Sequence, residues 1–446
     1  MKKTLLTAFV VAALGLQGMA QSTANWTMQA SAFPTPRAIR DIDITSATNA
    51  WAIGFDLSAA SAPVQDFTRT TNGGTTWTSG TIPNIPTWEF SNISAVDANT
   101  AWVAFFNNVS STNQSGGRIY KTTDGGLTWT QQATTAFTSP SSFLNIVHMF
   151  DANNGWAQGD PVNGEFEMYT TTNGGTTWTQ VPGANIPNPL STSEYGTVDV
   201  YTTVGNNVIY FGTNAGRVFK STDGGLNWTV TANTTLTGID NLAFRDANNG
   251  IITEGSDMMR TTNGGTTWTQ VAYTGDFYGY DLKFVPGTGN TYVSTGASTA
   301  PGSGSSYSKD GGNTWVAFDN LPLLAVDFLN PTVGFAGSLN SSATVGGIFK
   351  FNGTVISGIN NSEFSKAVMV YPNPSNGVFA IEMPASSESV ATINVTDALG
   401  RVVYNKTEKL NGAYNGQIDL SNLGNGIYML NIKTGENISL RKLVIE

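Results

Sequence analysis

The chain has 446 residues, no cysteine and a single histidine, His148. Disulfides, thiol nucleophiles and thiolate metal sites are therefore excluded, and a zinc site would have to be built from carboxylates around one imidazole. Charge is scarce as well: Asp, Glu, Lys and Arg make up 12% of the residues, with a net charge of −10. That balance repels a phosphate backbone, so nucleic acid is not an expected partner. Long apolar runs are missing after the first twenty residues, and no later segment predicts a membrane-spanning helix. The opening MKKTLLTAFVVAALGLQGMAQS joins Lys2 and Lys3 to an apolar run from Leu5 to Leu16 and ends on small Gly18 and Ala20. It predicts a cleaved secretory signal over 1–20, since the run is shorter than the ~20 residues that span a bilayer. An exported chain without cysteine must rely on its core, and 40% hydrophobic content is enough to build one.

What the chain has in abundance is one turn. The phrase TTNGGTTWT at Thr171 to Thr179 returns with small changes five more times, and the copies end in Trp77, Trp129, Trp178, Trp228, Trp268 and Trp315. Their spacing of 40 to 52 residues suits one four-stranded propeller blade. Asp124, Asp223 and Asp310 occupy the third position in three copies, Asn72, Asn173 and Asn263 in the others. Either side chain can accept N–H groups just ahead in the turn, and the glycines that follow supply positive φ. Such turns are expected to be structural, since one acid or amide per turn is too few for a calcium cage. A second phrase, such as IVHMFDANNGWAQG from Ile146, predicts a hairpin ahead of each turn and occurs seven times against six. Gly347-Ile348-Phe349-Lys350 has no Trp turn after it, while Asn25-Trp26-Thr27 looks like the missing strand. The expectation is an all-β chain: a seven-bladed β-propeller over 24–356, closed by its N-terminal strand, a linker over 357–367, and a small Ig-like β-sandwich over 368–446.

Topology places the two repeated turns at one end of the ring and the irregular loops at the other, where binding is expected. Trp88 is the only one of eleven tryptophans outside the repeat. With Glu89 and Phe90 on an interblade link it is the expected ligand platform, joined by Tyr195, Tyr278, Tyr280, Arg37 and Arg40. Aligned hairpins set Asp43, Ser94, His148, Asp199, Ala243, Lys283 and Asp327 at one position of the first strand, expected to border the central channel. Of these, Asp43, His148, Asp199, Lys283 and Asp327 are the polar candidates. No metal, cofactor or catalytic residue is assigned.

The S/T-x-D-G-G-x-T-W turns resemble Asp-boxes, or BNR repeats, of sialidases, xyloglucanases and sortilin-type receptors, and the DANNGWAQG phrase resembles the photosystem II stability factor family. Tyr371-Pro372-Asn373-Pro374, Asp397-Ala398-Leu399-Gly400-Arg401, Gly426-Ile427-Tyr428 and Lys442-Leu443-Val444-Ile445 are similar to the C-terminal sorting domain of type IX secretion substrates in Bacteroidetes. That resemblance implies export to the medium or the outer cell surface and contact with the type IX machinery. Two functions remain: a binder of an extracellular protein or glycan, and a glycoside hydrolase. The sialidase resemblance implies three Arg on the substrate, and only Arg37 and Arg40 are placed for it. A xyloglucanase-like acid pair could come from Asp41, Asp43, Glu89, Glu194 or Asp281.

Overall fold

The computed structural model describes residues 25–57, 62–107, 116–132, 136–139, 141–232, 235–297, 302–353, 367–397, 401–434 and 437–446. The expected signal, most of the expected linker and the Ala398-Leu399-Gly400 turn lie outside them. The chain divides into two compact units, Met1–Ser357 and Gly358–Glu446.

In the first unit, strands that follow one another pair antiparallel in groups of four. The innermost strands are Ala38–Ile44, Trp88–Ala95, Leu144–Met149, Gly196–Val204, Asn241–Phe244, Asp281–Phe284 and Ala325–Asn330. Each touches the next, and the last returns to the first. These groups are the blades of a β-propeller, numbered here one to seven in that order. The seventh takes its outermost strand from the other end of the chain, Trp26–Ala30 pairing with Val345–Phe351 from Trp26↔Phe351 to Ala30↔Gly347.

The repeated turns hold their shape by one set of bonds. At 2.9 Å, the third-position Asn or Asp oxygen accepts the N–H four residues on in every copy: Thr76, Thr128, Thr177, Asn227, Thr267 and Thr314. The hydroxyl two residues earlier, as in Thr171 or Ser221, accepts the N–H of the second glycine. Both glycines have positive φ, 68° and 88° at Gly174 and Gly175, which a side chain would strain. The first glycine donates to the hairpin turn of its own blade, Gly125 to Asn99 and Gly174 to Asn153, so both repeated turns do share one end. Asp223→Ala removes acceptors for Asn227 and Leu226 at an exposed turn. It should cost about 1 kcal/mol by calorimetry and leave ligand binding intact.

The tryptophan that ends each turn wedges against the preceding blade. Trp129 packs on Trp51 and Phe67, Trp77 on Phe335, and Trp228 on Trp156 at 5.2 Å. Basic residues latch the same end: the Arg69 guanidinium donates to Ala98 O, Lys121 to Gly174 O, and Arg260 to Gly311 O, all on the following blade. Apolar cores therefore lie between the facing sheets of neighbouring blades.

The second unit is one sheet of five strands, Met369–Tyr371, Val378–Thr396, Val402–Asp419, Gly426–Thr434 and Asn437–Ile445. A 19-residue strand paired with one of 18 runs through it. The sheet wraps its own core, which includes Phe379, Ile381, Ile393, Leu430, Ile432 and Leu443.

Candidate functional site

An innermost strand has one edge without a partner strand, so its N–H groups need acceptors. The neighbouring blade provides them. Asp327 Oδ2 accepts from Ile44, Asp41 Oδ2 from Ile93, Asp43 Oδ2 from Ala95, and Asp281 Oδ2 from Val326, at 2.6 to 3.0 Å. Asn92 Oδ1 and Ser94 Oγ do the same for Val147 and Met149. Polar residues at alternate positions of otherwise apolar strands are thus covers for the next blade's edge. That alternation is visible in the sequence, but the bonds it makes are not.

Burial at the centre of the ring raises the pKa values of Asp41, Asp43 and Asp327. Burial, with Asp327 close by, pushes Asp43 up to about 8, and burial also lifts Asp41 and Asp327 to about 6 although Lys283 opposes it. Burial raises Asp199 too, with Asp41 adding to it. Burial works against the charge on Lys283, but Asp281 at 3.7 Å, with Asp199, Asp41 and Asp327, outweighs it and pushes the ammonium above its usual value. His148 is held neutral, at about 4, by burial; its Nδ1 lies 3.2 Å from the Tyr201 hydroxyl.

Asp199 departs from its expected position. The residue that pairs as Asp43 pairs with Trp51 is Thr202, opposite Tyr210. Asp199 sits instead in an irregularity between Gly196 and Tyr201, with φ 60°, and still faces the channel charges. Similar register shifts lie at Ile39/Asp41, Phe90/Ile93 and Leu144/Ile146, so the innermost strands of four successive blades are irregular near the same place.

The expected platform is not one. Trp88 opens the innermost strand of blade two, is only 4% exposed and lies under the Arg118 guanidinium at 4.2 Å. Phe90 is fully buried, stacked on Phe105 at 4.4 Å. The presumed link pairs as strand, Trp88↔Asn107 and Phe90↔Phe105, which turns both rings into the core. Glu89 points the other way and binds Arg40 at 2.5 Å, with the guanidinium over Phe55. Arg37 pairs with Asp66 at 2.8 Å and is anchored through its N–H to Asn340. Glu194, one of the acids considered for hydrolysis, is fully buried against Arg217 and bonds Thr213 and Leu190 N, tying down its own link. Tyr280 is half-buried in the fields of Arg40 and Asp281. Tyr195 donates its N–H to Asn214, and Tyr278 lies across Gly296 and Gly304, where no side chain would fit. Arg40, Glu89, Tyr280, Asp281, Lys283 and Asp199 therefore belong to one cluster of interacting charges, and Trp88 and Phe90 do not. Among the described residues no group of His, Asp and Glu is arranged to hold a metal ion.

Two family models match the chain, "Secretion system C-terminal sorting domain" over residues 369–446 and "Photosynthesis system II assembly factor YCF48" over 87–252. The chain carries a YCF48-like BNR propeller domain and a type IX sorting domain. No curated protein matches it in sequence. Of solved structures, YCF48 from Cyanidioschyzon merolae is 20% identical at a TM-score of 0.54, covering 74% of this chain and 99% of that one. The WD40 repeats of RRP9, 7% identical, superpose at 0.52 with 75% and 98% covered. At these identities the likeness is one of fold, shared by propellers of different function. The sorting domain marks this BNR propeller for secretion or outer-surface export. Among the described residues no helix is long and apolar enough to cross a membrane.

Proposed function

We propose that this exported propeller is a binding module for an extracellular protein, and that its ligand presents a cationic group to the channel. The observation that carries the reading is the excess of carboxylates: among the described residues Asp41, Asp43, Asp199, Asp281 and Asp327 are opposed by Lys283 and the Glu89-bound Arg40. Four of the five spend an oxygen on an edge N–H of the next blade, whereas Asp199 makes no such bond. A low-dielectric site with an excess of one sign concentrates its field on an entering counter-charge. A glycan ligand, the other candidate from the sequence, would give no such preference for charge.

Calorimetric titration of the mature chain with lysine-rich and glutamate-rich peptides, beside a neutral glycan panel, distinguishes the two. The lysine-rich series should bind, weaken as salt is raised, and lose about tenfold in affinity in Asp199→Asn. Salt-independent glycan binding, or an Asp199→Asn variant that binds the basic peptides unchanged, would contradict the proposal.

A further inference from the structure

Six of the ten large apolar side chains that stand exposed among the described residues belong to the second unit: Met369, Tyr371, Val390, Val402, Ile427 and Met429. The unit has a buried core of its own, so these are not residues that failed to find one. Strand register gathers several of them. Thr396 pairs with Val402 on one side and Met429 on the other, Met429 pairs with Lys442, and two residues along Ile427 pairs with Val444. Directly opposed residues share a face of the sheet. Their chain neighbours Val395, Leu430 and Leu443 are fully buried on the other face, and Tyr428 is partly buried there. The outcome is an outward apolar row of Val402, Thr396, Met429, Ile427 and Val444, flanked by exposed Lys442 and by Arg401, whose guanidinium pairs with Asp397.

We propose that this row is the surface through which the sorting domain is read, and that its occupant is a component of the export machinery offering an apolar groove with a carboxylate rim. A domain that acts as a sorting signal must present some surface to a reader, and residues 369–446 are such a domain. Apolar area drives the contact, and the bases beside the row set the charge of the rim. A second copy of this chain fits less well. Stable protein interfaces engage roughly 20–30 residues a side, far more than the row offers. A contact of this size suits recognition that must also release its cargo. The inference concerns the second unit alone, so it stands or falls independently of ligand binding by the propeller.

The test uses the full chain in a cell that has type IX secretion, comparing Val402→Thr/Ile427→Thr/Met429→Thr with the parent. Threonine keeps the strand preference and removes the apolar contact. The fraction reaching the medium or cell surface should fall about tenfold or more, with the remainder in the periplasm, as for loss of an interface hot spot. Lys442→Glu should lower export by a smaller factor. Melting of the purified chains should be unchanged; if the triple variant melts early, single Ile427→Thr and Met429→Thr carry the same comparison. Parental export in the variants whose folding is intact would overturn the proposal. So would a concentration-dependent dimer in the parent that the variants lose while export continues, since the row would then be a contact between copies.

Discussion

Trp26→Ala should destabilise the propeller by about 3–5 kcal/mol, the usual range for removing a buried tryptophan. Trp26 is fully buried, stands 5.3 Å from Phe351 and 6.2 Å from Phe328, and its Nε1–H bonds Ser305 Oγ across to blade six. It is also the main anchor of a five-residue strand that closes the ring, and no disulfide backs that closure. The loss is a large part of the 5–15 kcal/mol that holds an ordinary domain together. It also has a topological consequence. With Trp26–Ala30 detached, Val345–Phe351 becomes an edge strand able to pair with another molecule. Size-exclusion chromatography with light scattering should show concentration-dependent association for Trp26→Ala. Trp315→Ala removes a comparably buried ring from blade six, where the strand remains part of a continuous meander. It should melt early and stay monomeric. Equal behaviour of the two variants would mean that the N-terminal strand has no special part in closure.

The architecture was legible because it is written six times over. A period near fifty residues, a surplus hairpin and a stray Asn-Trp-Thr at the start were enough to predict the ring and its manner of closing. The candidate site was legible only in part, for reasons visible at particular residues. Trp88 is absent from the repeated pattern, which reads as freedom from structural duty. In fact the strand begins earlier than the repeat implies, and its first residue packs into the core between blades one and two. Asp199 was placed by aligning a weak copy of the hairpin phrase from Val198; the ladder is regular from Val204 back to Tyr201, so the equivalent residue is Thr202, and Asp199 lies beyond it, where the ladder slips. Arg40 and Glu89 lie 49 positions apart and meet across a blade boundary, a contact that needs the closed ring before it exists. Asp43, Lys283 and Asp327 were singled out by alternation, a pattern that survives in a strand even where register is unknown.

The crowding of carboxylates has an effect on stability opposite to that of most acids in folded proteins. A carboxylate whose folded pKa is raised holds its proton more tightly in the native state than in the unfolded chain. Its contribution is complete below the unfolded value near 4 and is lost as pH rises through the folded value. For Asp41 and Asp327 that window runs from about 4 to about 6, and for Asp43 from about 4 to about 8. The turn acid Asp124 has the reverse sign, because hydrogen bonds from the Thr128 hydroxyl and N–H hold it at about 2. Its contribution is present at neutral pH and is lost only below about 4, as pH falls through about 2. Stability should therefore peak in mildly acid solution and decline towards pH 8, where mutual repulsion in the channel is greatest. Asp43→Asn keeps the oxygen that accepts the Ala95 N–H, 2.6 Å away, and removes the charge beside Asp327 and Asp41. It should raise stability at pH 8 by about 2 kcal/mol, after allowance for water in the channel, and leave it nearly unchanged at pH 4. Chemical denaturation of both proteins across that range is the measurement. A parental profile that climbs from pH 4 to pH 8, or an Asp43→Asn gain of the same size at both ends, would show that burial and the neighbouring carboxylates do not raise these pKa values.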